Sequence, residues 1–304
     1  MSSIQHARGQ SIRLFLVDGT ANGIVSASIP NWTGTILTGR YKQLTEMVTR
    51  TESRRAGCYI LQGEEPSHPF GVRAYIGQAT HLADRLRTHA SSRDWWTQAA
   101  LISTSDQNFT AGHFLALEAR MIELAANNNR AALDNVQAPT SPIERLGEAD
   151  TADMENFLDQ VRLVLPVLGF GLLKDSAAAE PERPDPTSSL PVRLQIAHLS
   201  GLTAHAVMRD DEFIVLAGSQ AIADDRYQKN GYAALRDRLV ADGTVSSGGG
   251  EFLVFVRDVS FSSSSAAASV ILNRQSSGPK EWKVEDGRPL GLWQEDQGKY
   301  EAVT

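Results

Sequence analysis

The chain holds a single cysteine, Cys58, in 304 residues. An internal disulfide is thereby excluded, and with no Cys-x-x-Cys spacing the common structural zinc sites are excluded too. Nor is there an apolar run approaching the roughly 20 residues of a membrane span. The N-terminus lacks the basic, apolar and small-residue order of a secretory signal, so the expected location is the cytoplasm, with no membrane partner. Basic residues are in the minority: 29 Lys and Arg against 36 Asp and Glu give a formal net charge of -7. A protein coated with positive charge for duplex DNA is not expected, because phosphate binding draws its affinity from Lys and Arg.

What is present is a 41% hydrophobic chain, long enough for two domains that each have an apolar centre. Its charge is unevenly spread. From Arg40 to Asp94 nine basic residues face six acidic ones, leaving room for a local basic face.

SIRLFLVDG reads as a strand ending in an Asp-Gly turn, and GIVSASI as its hairpin partner. Residues 41–50 predict a short helix, so residues 1–50 form an N-terminal extension. GCYILQG and VRAYIGQ are β-type runs separated by the polar loop EEPSHPF, whose prolines forbid a continuous strand. Thr80 is placed to cap a helix over HLADRLRTHA, with His81, Arg85 and His89 recurring at i, i+4 and i+8. ALIST predicts a third strand. A helix follows, capped by Asn108 or Thr110, and an amphipathic helix over 153–165 turns Met154, Phe157, Leu158, Val161 and Leu165 inward.

The first of those two helices, HFLALEARMIELA, poses a problem. At about 100° per residue its apolar members Phe114, Leu115, Leu117, Met121, Ile122, Leu124 and Ala125 share one arc, and Glu118 lies near the middle of it. A lone ionised carboxylate on a buried face costs several kcal/mol unless it is paired, hydrogen-bonded or metal-bound. Arg73 is one partner able to neutralise it in a structural ion pair; a metal ion is the other.

Gly57-Cys58-Tyr59 in one strand, Tyr75-Ile76-Gly77 in the next, then Arg85 and His89 on a helix and Glu118 on another, make an order and spacing that resembles the GIY-YIG nuclease family over residues 55–135. The resemblance implies an α+β fold with a small antiparallel three-stranded sheet flanked by helices, spanning residues 51–173 with the trailing helix. It implies catalytic roles for Tyr59, Tyr75, Arg85, His89 and Glu118, with Glu118 as ligand of Mg²⁺ or Mn²⁺ and with Asn135 and Arg87 as possible supporting residues. Hydrolysing a phosphodiester needs a nucleophilic water, charge stabilisation at phosphorus and help for the departing oxygen. A hard cation keeps several waters, so one carboxylate suffices to hold it. Arg85 offers a permanently charged fork for phosphate, and His89 one turn later can relay or donate protons. A free tyrosine with a pKa near 10 is a poor base at pH 7; of the two, Tyr59 is favoured as the base, once tuned by Arg85 or a metal-bound water.

Two departures from the family pattern stand out. Cys58 replaces the usual middle residue and should face away from Tyr59, and the long EEPSHP connection should sit beside the substrate cleft, where its two glutamates oppose DNA. Blander assignments exist for each residue: half-buried strand tyrosines, a solvated helix face for Arg85 and His89, solvated charges for Arg54, Arg55, Arg87 and Arg93, surface or hydrogen-bonded histidines at His81 and His113, and sheet packing, or stacking on a base, for Trp95 and Trp96.

Residues 174–191, KDSAAAEPERPDPTSSLP, have the composition of a linker. Beyond it, residues 192–304 predict a separate α+β domain: a hairpin across Asp210-Asp211, a helix over YAALRDRLVADG, a buried strand EFLVFV, a capped helix SSAAASVILN and a closing hairpin around Glu285-Asp286-Gly287. This half resembles the domain of unknown function often found behind such nucleases, through FIVLAGSQA, LRDRLVADG, FSSSSAAASVILNR and the spacing of Trp282, Gly287 and Leu290. From Leu190 onward it carries twelve basic and fifteen acidic residues and no cluster at catalytic spacing, which suits a binding or positioning module. The expected whole is a metal-dependent DNA endonuclease serving restriction, repair or phage defence, a homodimer being one way to cut both strands. The opposing class is a non-catalytic nucleic-acid- or protein-binding module that keeps the nuclease fold, which the acidic balance favours.

Overall fold

The alternating N-terminal segments pair as a hairpin in the computed structural model, which describes residues 9–135, 146–175, 191–209, 212–223, 231–248 and 250–301. Strand β1 (Arg13–Leu16) runs antiparallel to β2 (Val25–Ser28), with Arg13 opposite Ser28. The hairpin is no separate extension of the sheet. Through β3 (Gly34–Arg40) it joins β4 (Gly57–Glu64), β5 (Val72–Ala79), β6 (Trp96–Thr104) and β7 (Ala132–Leu133) in one seven-stranded sheet, ordered β1-β2-β3-β6-β4-β5-β7. The three strands expected from the motifs are therefore neighbours within a larger sheet. The β5–β7 pair is parallel, whereas β1–β2, β2–β3, β3–β6 and β4–β6 are antiparallel.

The helix expected over 41–50 is broken into a 3-10 turn at Tyr41–Gln43 and the single turn α1 (Leu44–Met47). Then come α2 (Leu82–Ser92), α3 (Ala111–Asn128) and α4 (Glu148–Val164). Strand alternation assigns the two faces of the sheet. Tyr59, Leu61, Ala99 and Leu101 pack with Leu37, Met47 and, from α2, Leu82 and Leu86. Cys58, Ile60, Ala100 and Ile102 are buried on the other side, where α3 packs on β4, α4 on β3, and α3 on α4. In α4, Met154, Phe157, Leu158 and Val161 are buried, as is Leu165 beyond it.

The chain divides into two units: Met1–Glu64 with Arg73–Lys174, and Glu65–Val72 with Asp175–Thr304. The long β4–β5 connection thus belongs to the second unit, where the Ser262 amide donates to the Pro69 carbonyl at 3.2 Å. That unit holds a five-stranded sheet of β8 (Val192–Ala197), β9 (Thr203–Arg209), β10 (Glu212–Val215), β14 (Val259–Phe261) and β15 (Lys283–Val284), in the order β14-β10-β9-β8-β15. A second sheet places β13 (Phe252–Phe255) between β11 (Gln220–Ile222) and β12 (Val245–Ser247). Helices α5 (Ala233–Ala241), α6 (Ser264–Leu272), α7 (Gly278–Glu281) and α8 (Leu290–Glu301) complete it.

The hairpin expected across Asp210-Asp211 is present as β9–β10, its turn lying outside the described residues. Most of the linker, residues 176–190, lies outside them as well. The closing hairpin is reduced to a Lys283–Pro289 bridge, because α7 and α8 take up its flanks. The core of this unit centres on Trp282, which is fully buried and whose indole N–H donates to the Ser264 carbonyl at 3.0 Å. Helix α6 is capped by Ser263, whose hydroxyl accepts from the Ala266 amide at 3.1 Å, and is buried from Ala266 to Leu272. Both units are α+β. Among the described residues no helix is long and apolar enough to cross a membrane.

Candidate active site

Both motif glycines are dictated by close packing. A Cβ on Gly57 would stand 2.1 Å from the Ile102 carbonyl oxygen, and one on Gly77 only 2.3 Å from the Tyr59 hydroxyl. Gly77 of β5 is therefore the space into which the Tyr59 phenol of β4 extends. Tyr59 is 1% exposed, and Cys58 points the other way, its thiol 3.4 Å from the Phe114 carbonyl of α3. Burial pushes the Cys58 thiol well above its ordinary range, with Glu118 adding to it, which makes this residue packing and not nucleophile.

Helix α2 brings two side chains onto the Tyr59 oxygen. Nε of Arg85 donates to it at 3.1 Å, and Nε2 of His89 lies 2.7 Å away. The N-cap position of the helix falls on His81, which makes no side-chain cap bond, and not on Thr80, and one turn separates Arg85 from His89. His89 is buried, 4% exposed, whereas Arg85 stays exposed beyond its bond to Tyr59. The expected solvated stripe thus dips into the core at its last member. The Tyr75 ring completes the cluster, 6.1 Å from the Tyr59 ring and 5.2 Å from the His89 ring.

Arg93, which reads as a solvated charge in the sequence, is part of this cluster. Its Nε donates to Nδ1 of His89 at 3.2 Å, its guanidinium stacks 4.2 Å over the Tyr75 ring, and its Nη1 is paired with Asp134. Asp134 also takes Arg73, whose guanidinium lies 4.6 Å from the Trp95 ring centroid. The Arg73 that sequence reasoning offers to Glu118 is thus engaged elsewhere. Next to Asp134, the Asn135 side chain accepts from the Ile76 amide at 3.1 Å and donates to the Ile76 carbonyl at 2.8 Å, fixing the middle residue of the second motif. Arg87 forms an exposed ion pair with Asp84 at 2.7 Å. His113 closes the N-terminus of α3, its Nδ1 accepting from the Thr110 amide at 3.1 Å.

The electrostatics follow from burial. Desolvation, then the positive charges of Arg85 and Arg93, lower His89 from 6.5 to about 4, so its imidazole is neutral at pH 7. Burial pushes the Tyr59 phenol upward against the opposing hydrogen bond from Arg85. Glu118 is half-buried on α3 and its carboxyl is raised by desolvation, opposed by the Gln78 backbone N–H and by the charge of Arg85. It forms no ion pair among the described residues.

A carboxylate in that state fits a divalent cation, which would relieve the cost of its burial. Among the described residues no group of three or more His, Cys, Asp or Glu could hold a metal. The donor set is one carboxylate, suited to a hard ion such as Mg²⁺ or Mn²⁺ that keeps its waters and takes oxygens from a substrate.

Residues 194–294 match the family model described as a domain of unknown function (DUF4357). No match to the GIY-YIG family is found for the N-terminal unit. No curated protein and no solved structure matches the chain.

Proposed function

We propose that the N-terminal unit is a metal-dependent endonuclease that hydrolyses phosphodiester bonds in DNA, and that the C-terminal unit selects or positions the target. The observation that carries this reading is the convergence of Arg85 and His89 on the Tyr59 oxygen, beside Tyr75, with a half-buried carboxylate at Glu118 that has no ion pair among the described residues and lies within the electrostatic reach of Arg85.

Each side chain then has a task set by its surroundings. Arg85, exposed and permanently charged, binds the scissile phosphate and stabilises the charge that grows on it. Glu118 would hold a Mg²⁺ or Mn²⁺ ion, which would supply Lewis-acid stabilisation of the charge developing on the phosphate. Tyr59 receives N–H donors from Arg85 and His89, which oppose the upward push of burial on its phenol; to take a proton from the attacking water it would first have to pass on its own, along the O–H it turns toward substrate. Because His89 is neutral down to about pH 4, it orients Tyr59 and does not act as a proton donor at neutral pH. Tyr75 places its hydroxyl beside the same centre. The Asp134 and Asn135 contacts hold β5, and so Tyr75, in register.

The test is cleavage of plasmid, branched, single-stranded and modified DNA by the purified full chain in Mg²⁺ or Mn²⁺. Cutting that Glu118→Ala and Tyr59→Phe both lose is the expected outcome. Tight binding without cutting in either metal would overturn the enzymatic reading.

A further inference from the structure

The contacts of His89 hold more information than its distance to Tyr59. A neutral imidazole carries one proton, and which ring nitrogen bears it is set by the partner of the other. Here Nδ1 faces Nε of Arg93 at 3.2 Å. A guanidinium can only donate, so Nδ1 must be the bare acceptor and the proton sits on Nε2, 2.7 Å from the Tyr59 oxygen.

Tyr59 then accepts from His89 and, at 3.1 Å, from Arg85. Both of its acceptor positions are filled, and its own O–H is left for a third partner: the Tyr75 hydroxyl or a substrate oxygen. With the opposite tautomer, Nε2 would be bare and would draw the phenolic proton inward, onto the imidazole. Resting on the nuclease reading for its catalytic meaning, we propose that Arg93, anchored by Asp134, is a positioning residue that fixes the tautomer of His89 and thereby turns the Tyr59 hydroxyl toward substrate.

Two further contacts fit this role. Arg93 lies over the Tyr75 ring, so one guanidinium constrains both motif tyrosines. Asp134 pairs with Arg93 and Arg73 together, holding the Arg93 fork so that its Nε faces the imidazole. No charge-only role requires that orientation. A lysine would preserve the charge and lose the directional N–H.

The experiment reads the tautomer directly, by long-range proton–nitrogen NMR on the full-length, histidine-labelled protein at pH 7, with the His89 signals identified by their loss in His89→Gln. Wild type should show only the Nε2-protonated form. Arg93→Met should show a mixture or the opposite tautomer, Arg93→Lys should fail to restore the wild-type pattern, and Asp134→Asn should fall between. Cleavage by Arg93→Met should drop about 10- to 100-fold in kcat with little change in KM, the size of a positioning defect. An Nδ1-protonated His89 in wild type, or an unaltered tautomer in a folded Arg93→Met, would overturn the proposal. If wild type cuts no nucleic acid, the nuclease reading fails by itself, and the NMR result still decides whether Arg93 sets the tautomer.

Discussion

Nε2 of His89 stands 2.7 Å from the phenolic oxygen of Tyr59, joining two residues 30 positions apart in the chain. The bond is buried, and removing one partner strands the other. Tyr59→Phe leaves the buried His89 Nε2 without its partner, while the exposed Arg85 can turn to water. We expect it to lose about 1–2 kcal/mol of stability, measured by urea unfolding, and at least about 100-fold in cleavage rate. A rate equal to wild type would remove Tyr59 from the chemistry.

Glu118 should respond to metal. Its carboxyl is raised in the folded state, so the unfolded chain ionises first, and stability falls as pH rises from the unfolded value through the folded one. Glu118→Gln removes that loss. In chelator at neutral pH the variant should melt no lower than wild type, while Mg²⁺ at about a hundredfold excess over its Kd should stabilise only wild type, by about 3 kcal/mol. A variant that melts several degrees lower with or without metal would mark Glu118 as a structural residue.

His89 predicts an acid limb of the opposite kind. Its folded value of about 4 lies below the ordinary 6.5, so between those values the unfolded state takes up a proton that the folded state refuses. Stability should decline as pH falls through that window and level off below it, by on the order of 2 kcal/mol after allowance for solvent screening. Comparing pH-dependent unfolding of wild type with His89→Gln isolates this slope; identical slopes would place the His89 titration elsewhere.

Gly77→Ala would bring a methyl group to 2.3 Å from the Tyr59 hydroxyl. Overpacking of this kind costs about 1–3 kcal/mol, and here the yielding group is the hydroxyl at the centre of the cluster. The expected result is a folded, destabilised protein whose activity falls with that of Tyr59→Phe. Full activity would show that the phenol can occupy another position without loss.

The parts of this centre legible in the sequence are those announced by local pattern. The motif glycines, Tyr59 and Tyr75 sit in strands with recognisable flanks, and Arg85 and His89 share a helix face through simple i, i+4 spacing. What stays hidden arises from pairing across long stretches of chain. Arg93 and Asp134 are 41 residues apart, and Arg93 reads as an ordinary solvated charge until the two are seen together. Strand β3 is equally quiet, because GTILTGR is interrupted by small and polar residues and is recruited by pairing with β2 and β6. Periodicity also overreaches: Leu115, within the apolar arc of α3, is 41% exposed, and Glu118 is only half-buried although it lies between buried Ile122 and Ala125 on the helix face. A helical wheel gives angles, while burial depends on what packs against each side of the helix.

The two residues of β7 pair in parallel with β5, and Asp134 and Asn135 follow directly upon them. A parallel partner cannot be reached by a tight turn, so α2, β6 and α3 must all be made between the two strands. A ribosome therefore delivers both tyrosines and the helix arginine, and then Glu118, before the segment that locks them. Until that last short strand docks, a growing chain carries an unfinished cluster, completed only once the other six strands of the sheet have been made and before any strand of the second unit's sheets.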